Sequence, residues 1–194
     1  QVAALDPHLI PYLLPQQIAL GFTSSQIAVL TTAEIASLTT DQISLGLTTA
    51  QVAGLTTSQI ASLTTSQLAS LTTTQVGAIE TDDIAALQTT QIGALGSSQI
   101  AALSPPQIRA LETQDVAVLG TNQIRALTTD QILYGLTTQQ ISAFTTGQVE
   151  AFSSDQIAVF STDQIQYLTV GTPLVLDMNG DGVRTQSIRA GTLF

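Results

Sequence analysis

Residues 30–38 read Leu30-Thr31-Thr32-Ala33-Glu34-Ile35-Ala36-Ser37-Leu38, and the same phrase returns as Leu55-Thr56-Thr57-Ser58-Gln59-Ile60-Ala61-Ser62 and Leu63-Thr64-Thr65-Ser66-Gln67-Leu68-Ala69-Ser70. The period is eight. Counted on the apolar residue after the Gln or Glu, the phrase recurs at 19 anchors from Ile18 to Ile165, 147 residues apart and three more than eighteen octapeptide steps require. The three surplus residues fall in units with a glycine just before the closing apolar residue, at Gly21, Gly46 and Gly135. A fixed short period marks a repeat architecture and has to be recognised before any fold is assigned.

Eight residues of continuous helix turn through about 800°, so the Leu and Ile stripe slips by about 80° per unit and faces every direction within a few units. One long helix is therefore excluded. In a strand, the Leu-to-Ile and Ile-to-Leu spacings of five and three put the two apolar rows on opposite faces, and Pro105-Pro106 removes two ladder donors. A β-solenoid built this way is strained. The remaining reading uses every position. Thr31 followed by Glu34 is a capping box, in which each side chain satisfies the other's free backbone N–H, and Leu30 with Ile35 are the hydrophobic staple around it. Ala36 and Ser37 complete the turn, and Leu38 closes this helix and staples the next through Ile43. Each octapeptide is one and a half turns of helix and a corner.

Pro7, Pro15, Pro105 and Pro106 fall at first or second helical positions, where the missing N–H has no intrahelical partner. Thr sits mostly at caps and first turns, where its hydroxyl is useful. A helix this short is unstable alone, so its stability comes from burying the Leu and Ile rows against neighbours. The expected fold is all-α: a tight α-solenoid or superhelix of short helices, with a short C-terminal β and calcium-loop segment. Pro11 falls late in its unit, so residues 1–21 read as an irregular N-terminal lead-in, 22–168 as the solenoid and 169–194 as the start of a calcium-binding-like segment. Small residues such as Ala85-Ala86 and Gly93-Ala94 permit close approach of backbones, and the change from Leu to Phe144, Phe152 and Phe160 predicts a wider or differently packed C-terminal third.

Composition narrows function. Of 194 residues, 44% are apolar but only 9% charged, against roughly 25% in ordinary soluble domains. The net charge is −10 and the only cations besides His8 are Arg109, Arg125, Arg184 and Arg189, so a phosphate-binding surface has little to build from and no nucleic-acid partner is expected. Without Cys there is no disulfide framework and no thiolate site. The apolar runs are far short of the ~20 residues of a membrane span. Gln1 is not an initiator residue, and the chain is expected to be a piece of a longer protein. Carboxylates are scattered at cap and early-helix positions, where the helix dipole favours them, and form no acid–base pair. The Thr-Thr array invites ice binding or O-glycosylation, but capping already employs the first Thr of each pair. Arg109 and Arg125 share a unit position and are placed to meet acids such as Glu112, a surface pairing of small energetic value.

After Leu168 the repeat stops. In Pro173-Leu-Val-Leu-Asp-Met-Asn-Gly-Asp-Gly-Val183, Leu174 to Leu176 is a strand candidate. Asp177, Asn179 and Asp181 alternate ahead of Gly182, the order in which calcium loops present oxygen ligands before a sharp turn. The carbonyl of Val183 and an oxygen or water at Thr185 extend the set, while the twelfth position, where an EF-hand has Glu, is Ile188. Residues 173–194 resemble a segment of large secreted bacterial proteins related to the hemolysin-type calcium-binding (RTX) group, although Met178 stands where that group often has an aliphatic residue. The resemblance implies a protein exported by type I secretion, calcium as cofactor, and an extracellular or cell-surface location. The expected function is structural and non-enzymatic: a stalk, spacer or self-assembling fibre element whose partners are copies of itself or an extracellular surface. The alternative is the non-catalytic arm of a secreted toxin, adhesin or enzyme whose activity lies outside this chain.

Overall fold

A computed structural model of the chain describes residues 7–168. Among them there is no strand; a 3-10 turn at Pro7–Tyr12 leads into a succession of very short helices, from Pro15–Gly21 to Thr162–Ile165. The longest α-helix has 7 residues and the shortest 4. This is the all-helical solenoid that the octapeptide period requires.

The unit forms as its residues dictate. At Thr31 the backbone is extended (φ −71°, ψ 159°); its hydroxyl accepts from the Glu34 N–H while the Glu34 carboxylate accepts the Thr31 N–H at 2.6 Å. The helix Thr57–Ser62 ends because Leu63 (φ −61°, ψ 135°) and Thr64 (φ −69°, ψ 159°) are both extended, and these two residues make the corner into Thr65–Ser70. Ile60 is 0% exposed and Leu63 3%, and the same pair of rows continues as a single hydrophobic core from Ile10 to Leu168. The Thr-Thr-x face of the unit points to solvent, and the second small residue after the inner apolar one, such as Ser37, Ser70, Ala86 or Ala94, is half-buried.

Neighbouring turns meet at a sequence distance of three units. Ser97–Ala102 packs on Thr73–Gly77 before it and on Thr121–Ala126 after it. Two of the three nine-residue units close as π-turns, Gln42–Gly46 and Gln131–Gly135, in which Leu47 and Leu136 donate to the carbonyls of Gln42 and Gln131. The third surplus residue is absorbed by lengthening Pro15–Gly21. All three units turn a large apolar residue outward: Leu20, Leu45 and Tyr134 are 89%, 71% and 58% exposed. In the last third, Phe144, Phe152 and Phe160 replace the corner Leu and stack edge to face, with ring centroids 5.3 Å apart, so the packing expected to change there does so through aromatic pairs.

Candidate functional site

The feature that recurs through the whole described chain is a ladder of buried glutamines. Every buried glutamine from Gln42 to Gln164 stands at the third helical position, just before the Ile, Val or Leu of the inner apolar row. Its amide works in two directions. In Gln99, Oε1 accepts the N–H of Gly96 at 2.7 Å, closing the cap of its own helix, while Nε2 donates to the carbonyls of Leu68 and Leu71 at 2.8 and 2.7 Å. Gln59 does the same to Ile27 and Leu30, and Gln131 to Ile100 and Leu103. The carbonyls reached lie between 28 and 33 residues earlier, at the end of the helix four units back and at the corner that follows it. Together with the three-unit contacts between helices, this sets the superhelical turn at between three and four octapeptides.

In the octapeptide units the helix-end carbonyl of each pair already accepts the N–H of the corner residue, as Leu68 does from Leu71, while the corner carbonyl is one that a short helix leaves open at its C-terminus. A buried carbonyl left unpaired costs on the order of 1–3 kcal/mol. The ladder therefore solves for each helix the problem its own brevity creates, and ties consecutive turns together while doing so. The cap hydroxyl is less constant than the amide: Gln88, Gly96 and Gly120 stand at the N-cap without a cap hydroxyl, yet their N–H groups still reach Gln91, Gln99 and Gln123. The capping box was readable from the sequence; the donor half of the amide was missed. One signal for it was present. A capping box accepts Glu as readily as Gln and the helix dipole favours the acid, so persistent Gln implies that the amide hydrogens are used.

Three buried positions of the ladder carry an acid: Glu34, Asp83 and Asp115. Glu34 keeps the cap. Asp83 does not: its helix, Thr81–Ala85, has neither a cap side-chain bond nor a capping box. Asp115 accepts from the Glu112 N–H through Oδ2 at 3.0 Å, but its buried Oδ1 has no hydrogen-bond partner. Burial pushes the Asp115 carboxyl above the usual aspartate range, helped by repulsion from Glu112 and opposed by the Glu112 N–H and the Thr89 hydroxyl.

Arg109 does not meet Glu112; it donates to the carbonyl of Tyr134 and so binds the second π-turn to Pro105–Ala110. Arg109 and Tyr134 line an open groove of about 590 Å³ together with Thr81, Asp82, Pro105 and Pro106. Among the described residues, no helix is long and apolar enough to cross a membrane, and no three His, Asp or Glu residues are grouped to hold a metal. Asp177, Asn179, Asp181, Val183 and Thr185 lie outside the described residues, as does the expected C-terminal strand.

The fold and its ladder define a class: an α-solenoid of octapeptide period whose turns are joined by buried side-chain amides. The chain belongs to the ALTTAQ repeat family, which it matches over residues 45–73, 76–113, 108–146 and 135–170, more than half of its length. No curated protein matches it significantly.

Proposed function

We propose that the protein is a structural extracellular element, a stalk, spacer or self-assembling fibre segment. Its solenoid holds distance, and its C-terminal segment binds calcium through Asp177, Asn179, Asp181, Val183 and Thr185. The observation that carries the mechanical part is the ladder: one clamp, repeated from Gln42 to Gln164, spends the buried polar chemistry of the chain on joining turn to turn. A nearest-neighbour architecture of this kind extends without redesign, which suits a spacer. Export, calcium and a kinship with the RTX group are supported by the alternation of Asp177, Asn179 and Asp181 ahead of Gly182 and by the resemblance of residues 173–183. No enzymatic role is part of this reading.

Small-angle scattering on the whole chain tests the spacer: an elongated particle is expected, and a compact globule overturns it. Titration with calcium, followed by circular dichroism and calorimetry, tests the C-terminal part. Saturable heat and a spectral change that vanish in Asp177→Asn with Asp181→Asn support it; no response in the unaltered chain removes calcium from the reading.

A further inference from the structure

Asp83 and Asp115 are 32 residues apart, the spacing at which the ladder connects one turn to the next, as Gln67 connects to Ile35. They therefore occupy consecutive rungs of the same column. On either side an amide still reaches back: Gln107 donates to Val76 and Ile79, 31 and 28 residues earlier, and Gln123 makes the second of these two bonds, to Leu95. The carbonyls of Ile84 and Leu87, which stand at those same distances before Asp115, receive no side-chain donor. An ionised aspartate is acceptor-only, and it is one methylene shorter than the glutamine it replaces. The junction between Thr81–Ala85 and Thr113–Ala117 thus brings together a helix without its capping box, two carbonyls without their clamp and a carboxylate oxygen buried without a partner.

We propose that this junction is a proton-sensitive parting point of the superhelix, tight when Asp115 is neutral and loosened when it ionises. A neutral carboxyl supplies an O–H donor where the amide is missing and removes the buried charge. No cation offsets that charge. Glu112 caps the helix of Asp115; the helix below brings Glu80, Asp82 and Asp83; Thr89–Gly93 and Thr138–Ser142, which pack against Thr113–Ala117, carry no charged residue. Glu150 follows Thr146–Val149, whose Gln148 holds Val116 and Leu119 from above. Arg109 and Arg125 on the flanking units are exposed.

The sign follows from linkage. A carboxyl that holds its proton more tightly folded than unfolded contributes stability on the acid side and loses it as pH rises through its folded value. The window lies above the usual aspartate range. Local opening of single units is the natural response of a nearest-neighbour fold.

Hydrogen exchange on the full chain between about pH 4 and pH 8, corrected for intrinsic rates, is the test. Protection of amides in residues 84–87 and 115–119 is expected to fall several-fold as pH rises, while residues 99–103 hold theirs. Asp115→Asn should flatten that dependence, and Asp115→Gln should raise junction protection several-fold at neutral pH. The exposed control Asp155→Asn should leave both unchanged. In the unaltered chain, where no variant has to fold, the carboxyl carbon of Asp115 should titrate above the usual aspartate range. Titration within that range, or a junction whose exchange follows the same profile in Asp115→Asn, overturns the proposal.

Discussion

A helix N-terminus favours a carboxylate at its third position, through the dipole and through the reciprocal cap, and this acidic chain places glutamine there in nearly every unit. The amide is retained for its hydrogens. Gln99 separates the two roles: Gln99→Ala removes the cap acceptor at Gly96 and the donors to Leu68 and Leu71, and is expected to cost about 2–3 kcal/mol in thermal or denaturant unfolding. Gln99→Glu keeps the acceptor, as Glu34 does, but loses both donors and buries a charge. It should be at least as destabilising at neutral pH and should recover as the solution is acidified. A glutamate as stable as the original at neutral pH means that the cap alone matters.

At the scale of the element, helices of four to seven residues are too short to persist by themselves, and what differs between them is how the ninth residue is accommodated. Both π-turns lie against a helix that begins with proline: Gln42–Gly46 on Pro15–Gly21, and Gln131–Gly135 on Pro105–Ala110. The glycine that closes each turn is a matter of room. A Cβ on Gly135 would stand 3.0 Å from the Cβ of Ile108 and 3.1 Å from the Pro105 carbonyl, and one on Gly46 would stand 3.2 Å from the backbone of Pro15. Gly147 has nothing within 4 Å of the same position. Gly135→Ala is therefore expected to cost about 1–3 kcal/mol. Gly147→Ala, inside Thr146–Val149, should add roughly 0.5–1 kcal/mol. Melting curves of the two variants that shift in the same direction would contradict this account. The prolines and the surplus glycines were visible in the sequence; that Pro15–Gly21 and Pro105–Ala110 each receive a π-turn three units later was not, because the contact belongs to the next turn of the superhelix.

At the scale of the whole molecule, the ladder makes the chain tolerant of losses in whole units and intolerant of any other. Deleting residues 65–72 removes one octapeptide, and each remaining glutamine still finds an equivalent corner at the same distance back. Such a variant should keep the helical circular dichroism per residue of the parent. Deleting residues 65–68 puts Gln75 and Gln91, whose clamps cross the gap, out of register with the preceding turn and removes the Leu68 carbonyl that Gln99 holds, and should lose helical signal and melt at a markedly lower temperature. Equal behaviour of the two deletions would show that the turns are not held by register. The octapeptide period, the caps, the staple and the apolar rows were legible because each is settled within one unit, by contacts among residues a few positions apart. Thr31, Glu34, Leu30 and Ile35 are enough to specify a helix start and a corner. Chemistry within single units is thus sufficient to specify brief capped helices sharing one core. How many units make a turn, which carbonyls the glutamines reach, and that Asp83 and Asp115 stand on consecutive rungs were decided only by the tertiary structure. Those contacts join residues 24 to 33 positions apart in a chain whose units are nearly identical, and it is the angle at each corner, set by packing across turns, that selects among equivalent partners.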